Sequence, residues 1–175
     1  MKFTSLGLNG SYLIEPTQIA DERGYFARTF CRQKFQEMGL NPHLDQCSFS
    51  FNHKKGTLRG MHFQKHPHGE VKLVRCTQGS IYDVIIDLRP ESATYKQWKG
   101  VILSSVNRHI LYIPEGFAHG FQTLEDNSEV FYQISSPFVP ESASGVRWDD
   151  PQFGITWPTE VSIISSKDQQ YADLL

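Results

Sequence analysis

Residues 81–88 read Ile-Tyr-Asp-Val-Ile-Ile-Asp-Leu, and this alternation indicates a β-strand. Side chains along a strand point alternately to its two faces. The even positions, from Tyr82 to Leu88, are apolar throughout, whereas the odd positions include Asp83 and Asp87. The segment therefore predicts a strand whose even-numbered face packs into a core.

Runs of the same kind lie on both sides of this segment. They are short, rich in β-branched and aromatic residues, and separated by Gly and Pro turn signals. These runs are Val71–Cys76, Val101–Leu103, His109–Ile113 and Val130–Ile134. One helix is predicted at Arg32–Met38, with Phe35 and Met38 on one face, and Gly39 should end it. Many short strands and almost no helical periodicity predict an all-β sandwich or barrel.

The composition is that of one folded domain spanning residues 1–175. Hydrophobic residues make up 39% of the chain and charged residues 21%, which argues against a disordered chain. The net charge of −2 provides no general attraction to nucleic acid or to acidic membranes. The three cysteines form no Cys-x-x-Cys pair, and no apolar run approaches the ~18 residues of a membrane span. We therefore expect a cytoplasmic protein that has no disulfide framework and no contact with membranes or nucleic acid.

Four clusters of reactive side chains stand out in the sequence. They are residues 21–26, residues 56–64 followed by Lys72, residues 113–121 followed by Tyr132, and residues 166–168. A histidine among apolar neighbours, as at His62, can be poised as a base near neutral pH, and a lysine in an apolar strand is rarely buried without a reason of charge. Taken singly, each residue also has an ordinary explanation: a core histidine, a solvent-facing lysine, a core tyrosine or a salt-bridged arginine. The residues alone thus predict a β-barrel with a candidate His/Lys/Tyr/Arg pocket.

Together these clusters resemble the dTDP-4-dehydrorhamnose 3,5-epimerase family, from Glu15 to about Leu174. The motifs follow the family's order: Asp21-x-Arg23-Gly24-x-Phe26, Leu-Arg-Gly-Met-His-Phe-Gln at 58–64, Lys72-Leu73-Val74, Asp83-x-x-x-Asp87-Leu88-Arg89, Ile-Pro-x-Gly-Phe-Ala-His-Gly-Phe at 113–121, and Ser166-Lys167-Asp168. The resemblance implies a cupin-type double-stranded β-helix, a jelly-roll barrel with a few short helices. It also implies a homodimer that needs no metal or other cofactor and acts on a nucleotide-linked 4-keto-6-deoxyhexose, with a dTDP-sugar as the expected substrate.

The resemblance implies roles for four catalytic residues. His62 corresponds to the base that removes a proton from a carbon beside the ketone, and Asp168 corresponds to the carboxylate that orients this imidazole. Lys72 corresponds to the cation beside the C4 oxygen, where it stabilises the enolate. Tyr132 corresponds to the acid that returns a proton from the opposite face, and this change of face inverts the carbon centre.

Further residues correspond to substrate-binding positions of the family. They are Arg23, Phe26, Arg28, Gln46, Ser48, Arg59, His119, Phe138 and Lys167. The arginines and the lysine suit a diphosphate, and a ring at Phe138 suits stacking on the base. Arg28 and Ser48 depart from the family pattern, which has glutamate and asparagine there, and an acidic residue common in the family is replaced around Ala143. The nucleotide therefore stays open, with a CDP- or other NDP-sugar, or inversion at one carbon only, as alternatives.

Other cupin functions compete with this interpretation. The segment Pro114-x-Gly116-x-x-His119 resembles a cupin metal motif, and His66 and His68 resemble part of another. Lys72 stands where a metal-binding cupin needs glutamate, and its ammonium group would repel a divalent ion. We expect the two histidines to lie in a loop over Gln64–Glu70 instead. A non-catalytic sugar-binding cupin would lack part of the acid–base set, and the motifs at 58–64 and 166–168 favour the epimerase over a 3,4-ketoisomerase.

Overall fold

The structure is a computed structural model that describes residues 1–174. Its strands are β1 (Lys2–Ser5), β2 (Tyr12–Glu15), β3 (Gln18–Asp21), β4 (Gly24–Ala27), β5 (Gln46–Asn52), β6 (Thr57–Gln64), β7 (Lys72–Gln78), β8 (Ser80–Asp87), β9 (Trp98–Ser104), β10 (Ile110–Ile113), β11 (Phe117–Thr123), β12 (Ser128–Ile134), β13 (Ala143–Gly145) and β14 (Ile163–Ile164). The helices are α1 (Arg32–Glu37) and α2 (Ser166–Gln169), with a 3₁₀ turn at Pro140–Ser142. The all-β class predicted from the sequence is confirmed.

Two mainly antiparallel sheets form the body of the protein. The first has the strand order β1-β2-β10-β7-β12-β5, and the second has the order β13-β6-β11-β8-β9 with β14 parallel to β6. Strands β3 and β4 form a separate hairpin. The chain repeatedly crosses between the sheets, so that β5 lies beside β12 and β6 beside β11. This alternation is the jelly-roll arrangement expected of a cupin-type barrel.

Strand β8 is buried on both faces because the barrel has one core inside and another outside. Ile81 and Ile85 belong to the cluster that joins the two sheets. Val84, on the even-numbered face predicted for the core, packs instead in an outer cluster with Phe153. The barrel interior is lined by the odd-numbered face, so Asp83 is fully buried there. The sequence correctly predicted a buried even-numbered face but did not predict the second buried face.

Helix α1 packs on the outer side of the first sheet. Phe35 is fully buried, and its ring lies 5.9 Å from that of Tyr112. The predicted helix is confirmed, with Met38 as its C-cap and Gly39 at φ +69°, a left-handed conformation that suits glycine. Of the two residues predicted to share a face, Phe35 is buried and Met38 is exposed, so the packing of α1 on the sheet rests on Phe35. In residues 1–174 no helix is long and apolar enough to cross a bilayer.

Candidate active site

A cavity of about 350 Å³ opens between the two sheets. Strands of the first sheet bring Lys72 and Tyr132 to its wall, and strands of the second bring His62 and His119. The groups predicted to remove and to return a proton therefore belong to opposite sheets. The other predicted residues in the wall are Gln46, Ser48, Arg59, Phe138 and Lys167.

A β-bulge in β6 brings Arg59 and His62 to the same cavity, although a spacing of three residues places side chains on opposite faces of a regular strand. His62 of β6 lies opposite His119 of β11, and Arg59 lies opposite Phe121. The four residues from Arg59 to His62 therefore pair with only three residues of β11. Such a bulge re-aims a side chain. Gly60 lies inside it at φ +132°, where an added Cβ would stand 2.5 Å from the Cα of Gly120. Glycine is therefore required for this approach of the two strands.

The carboxylate of Asp168 holds the ring of His62. Its Oδ1 lies 2.8 Å from Nε2 of His62, and its Oδ2 accepts a 3.2 Å hydrogen bond from the backbone N–H of Gly60. Ser165, the N-cap of α2, accepts a hydrogen bond from the N–H of Asp168. Burial opposes the ionisation of Asp168, but its hydrogen bonds, above all that with His62, lower its pKa below the usual value. With Nε2 engaged, Nδ1 is the nitrogen of His62 left to accept a proton.

Lys72 is paired with an acidic neighbour that the sequence analysis did not single out. Its Nζ lies 2.9 Å from Oε1 of Glu70, and the two side chains are only 10% and 11% exposed. The ordinary explanation of Lys72 as a solvent-facing strand residue is therefore wrong. A buried ammonium group needs such a partner because its desolvation is costly. The pair places a fixed cation in the wall of the cavity.

Tyr132 lies beside a second buried pair. The ring of His119 stands 6.2 Å from that of Tyr132 in an edge-to-face arrangement, and its Nε2 lies 3.0 Å from Oδ2 of Asp83. Burial raises the pKa of Asp83, with His119 and Lys72 opposing the shift. Burial also raises the pKa of Tyr132, the charge of Asp83 adds to this, and a hydrogen bond with Ser50 acts against it. The phenol therefore remains protonated at neutral pH and can donate a proton.

The remaining binding positions in the wall, apart from His119, are exposed residues at its open side. Arg59 donates from Nε to Oδ1 of Asn52 at 2.7 Å, which fixes the guanidinium group at the cavity. Phe138 and Lys167 are exposed at the rim. An exposed aromatic ring near cationic side chains can stack on a base while the cations contact phosphate.

Three predicted residues, in or directly after the β3–β4 hairpin, are not brought to the cavity within one chain. Arg23, Phe26 and Arg28 are exposed, and none of them lines it. The guanidinium group of Arg23 pairs instead with Asp21 of the same hairpin. Their predicted contact with substrate therefore stays a prediction.

Several residues of the site escaped the sequence analysis. Glu70 and Tyr171 line the cavity, and the ring of Tyr171 lies 6.0 Å from that of His62. Asp83, noted only as part of a motif, is the partner of His119. A signal existed for Asp83, since an acidic residue among isoleucines on one face of a strand requires a buried partner. Neither Glu70 nor Tyr171 carries such a signal.

The candidate metal motifs do not come together in the described part of the chain. Within residues 1–174 no group of three or more His, Cys, Asp or Glu side chains is placed to hold a metal ion. His66 and His68 are exposed between β6 and β7, in the loop predicted from the sequence. His119 is bound to Asp83.

Fold and site together define a class, an acid–base isomerase on a cupin-type barrel. One sheet carries an imidazole that a carboxylate of α2 holds, and the other sheet carries a phenol and an ammonium group. The comparisons with known proteins specify the class further. The chain belongs to the dTDP-4-dehydrorhamnose 3,5-epimerase family, whose model matches residues 5–175. The resemblance drawn from the motifs is confirmed.

Relatives match this chain over nearly its whole length. The dTDP-4-dehydrorhamnose 3,5-epimerase of Methanothermobacter thermautotrophicus is 47% identical over 99% of this chain and 94% of its own. The enzyme of that name from Bacillus anthracis, solved with TDP and PPi bound, superposes with a TM-score of 0.95 at 39% identity, covering 99% of both chains. A Legionella pneumophila 3,5-epimerase, in complex with dTDP-4-keto-L-rhamnose, has a TM-score of 0.92 at 36% identity over 98% of this chain and 92% of its own.

Proposed function

We propose that this protein inverts C3 and C5 of dTDP-4-dehydro-6-deoxy-D-glucose and so forms dTDP-4-dehydro-L-rhamnose. The observation that carries the proposal is the pairing of His62 with Asp168 on one wall of the cavity, facing the sheet that holds Tyr132 and Lys72. Inversion beside a ketone needs two protic groups on opposite sides of the carbon. The names of the relatives support the choice of substrate.

The reaction follows from these four side chains. Nδ1 of His62 takes the proton from the carbon beside the C4 ketone, and the electrons of the C–H bond pass into an enolate. Lys72 stabilises the negative charge on the C4 oxygen, and Asp168 stabilises the imidazolium group that forms. Tyr132 then protonates the carbon from the other face, and the resulting phenolate regains a proton from the solvent as His62 releases its own. No proton or electron is consumed overall.

The binding residues divide along the cavity. We assign Arg59 and Lys167 to the diphosphate, because a guanidinium and an ammonium group match its charge. Phe138 stacks on the base, and His119 contacts the sugar near Arg59. Gln46 and Ser48, on strand β5, supply polar contacts. The TDP and dTDP-sugar bound to the related structures support a thymidine nucleotide.

We also propose that the protein is a homodimer in the cytoplasm, with residues 1–175 forming a single epimerase domain. Ile19 and Phe26 lie opposite each other in the β3–β4 hairpin and are both exposed, and an exposed apolar pair of this kind favours an interaction site. In such a dimer the hairpin of one copy brings Arg23 and Arg28 to the cavity of the other. Analytical ultracentrifugation tests the dimer, and a fully active monomer would contradict it.

The experiment that tests the function follows proton exchange. The enzyme is incubated in D₂O with dTDP-4-dehydro-6-deoxy-D-glucose, and NMR monitors deuterium at C3 and C5 together with the product. With the wild type we expect deuterium at both carbons and inverted product. His62→Asn should lose the exchange and the product. The control His109→Asn should retain them, because His109 lies outside the cavity. Exchange at one carbon only would identify a monoepimerase and contradict the proposal. Turnover of the CDP-sugar in preference to the dTDP-sugar would contradict the assigned nucleotide.

A further inference from the structure

The side-chain amide of Gln64 joins two parts of the cavity wall that lie far apart in the sequence. Gln64 is 4% exposed and ends strand β6. Its Nε2 lies 3.2 Å from Oε2 of Glu70 and 3.2 Å from the carbonyl of Pro137, and its Oε1 accepts a 2.7 Å hydrogen bond from the N–H of Val139. The carbonyl of His68 is a further acceptor at 3.1 Å. A single buried side chain thus lies within hydrogen-bond distance of polar groups from two segments.

One end of this network is the cation of the site. Glu70 uses Oε1 for Lys72 and Oε2 for Gln64, so both carboxylate oxygens are engaged. A carboxylate held on one side by an amide presents its other oxygen in a fixed direction. The position of the Lys72 ammonium group therefore depends on Gln64 through Glu70.

The other end is the segment that carries the exposed ring of Phe138. Gln64 binds the carbonyl of Pro137 and the N–H of Val139, the two residues that flank this ring. The backbone on both sides of Phe138 is thereby fastened to β6. Because Phe138 is itself exposed, these contacts are needed to hold the ring at the rim.

We propose that Gln64 is a positioning residue that couples the lysine beside the reacting carbonyl to the aromatic segment at the nucleotide end of the cavity. This inference rests on the proposed function. It assigns two effects to one amide: the contact with Glu70 holds Lys72 and thereby affects the chemical step, while the contacts with Pro137 and Val139 hold the aromatic segment and thereby affect substrate binding. Loss of positioning groups of this kind can cost roughly 10- to 100-fold in rate.

The test measures kcat and KM separately in two variants. Gln64→Met keeps the bulk and removes every hydrogen bond. We expect its kcat to fall at least ~10-fold, about 1.4 kcal/mol, and its KM to rise several-fold. Gln64→Glu keeps an oxygen for the N–H of Val139 but loses the donor to Glu70 and to the carbonyl of Pro137. Here we expect the lower kcat, with a KM that rises less than in Gln64→Met because the contact with Val139 remains. Because a partly folded preparation also lowers the apparent kcat at an unchanged KM, kcat is calculated from the folded fraction of each variant, measured by circular dichroism.

Gln122 provides the matched control. It is also fully buried, and its amide bonds both the N–H and the carbonyl of Thr159, but it does not line the cavity. Gln122→Met should lower stability while leaving kcat and KM unchanged. Equal kinetics in Gln64→Met and Gln122→Met would overturn the inference, as would a Gln64→Glu variant that changes only KM. Absence of exchange in the wild type would refute the proposed function and the inference with it, whereas an active wild type with unaffected Gln64 variants refutes the inference alone.

Discussion

Replacing Asp168 by asparagine is the most direct test of the proposed base. The substitution keeps the size of the side chain and the oxygen that accepts from Gly60, but it removes the charge 2.8 Å from Nε2 of His62. The new amide can also donate to Nε2, which leaves the proton on Nδ1, the nitrogen that must accept one. Both changes weaken His62 as a base.

The expected loss can be worked from the geometry. When His62 accepts a proton, its positive charge lies about 4 Å from the centre of the carboxylate charge, and at an effective dielectric constant of about 20 the attraction is about 4 kcal/mol. This corresponds to about 10³-fold in rate. Because the side chain of His62 is 41% exposed, solvent screens part of the attraction. We therefore expect kcat to fall by about 10²- to 10³-fold.

Deuterium exchange at C3 and C5, measured by NMR in D₂O, reports this step directly. The control is Asp150→Asn, because Asp150 is equally buried, accepts hydrogen bonds from the backbone N–H groups of Gln152 and Leu174, and lies outside the cavity. It should exchange at the wild-type rate. A folded Asp168→Asn protein that exchanges as fast as the wild type would refute the role assigned to the carboxylate.

Three further predictions follow from the site and from the fold. Tyr132→Phe should retain the deuterium exchange catalysed by His62, while NMR should show inverted product forming about 10²-fold more slowly. Equal loss of exchange and of inverted product would contradict a separate catalytic step for Tyr132. Gly60→Ala should lower the free energy of unfolding by at least about 2 kcal/mol in denaturant titrations. The control Gly24→Ala has a similar φ of +130° but open space around it, so its free energy of unfolding should fall less. Equal losses in the two variants would contradict a role for the contact between Gly60 and β11. Burial opposes ionisation of Asp87, but the hydrogen bonds it accepts lower its pKa to about 2. The stability it contributes, about 2 kcal/mol, is therefore present above about pH 4 and lost as the pH falls towards 2. Unfolding curves of Asp87→Asn should lack this pH dependence, and an unchanged acid profile would contradict the assignment.

Much of the site was predictable because its chemistry is carried by short motifs. His62, Lys72, Tyr132 and Asp168 were all named from the sequence, and three of them line one cavity while Asp168 holds the base. The partners that set their properties were not predictable. Glu70 binds Lys72 from an unremarkable loop, because the pairing depends on where that loop folds back.

The sequence by itself determined the all-β class, helix α1 and the residue types of the site, since alternation, turn residues and motifs are local properties of the chain. Only the tertiary structure decided which face of a strand points into the barrel, since both faces of β8 are apolar enough to be buried. It also decided that Arg59 and His62 share a wall, because a bulge at Gly60 shifts the side-chain alternation and depends on the close approach of Gly120. Such features arise from contacts between segments far apart in the chain, and no local pattern records them.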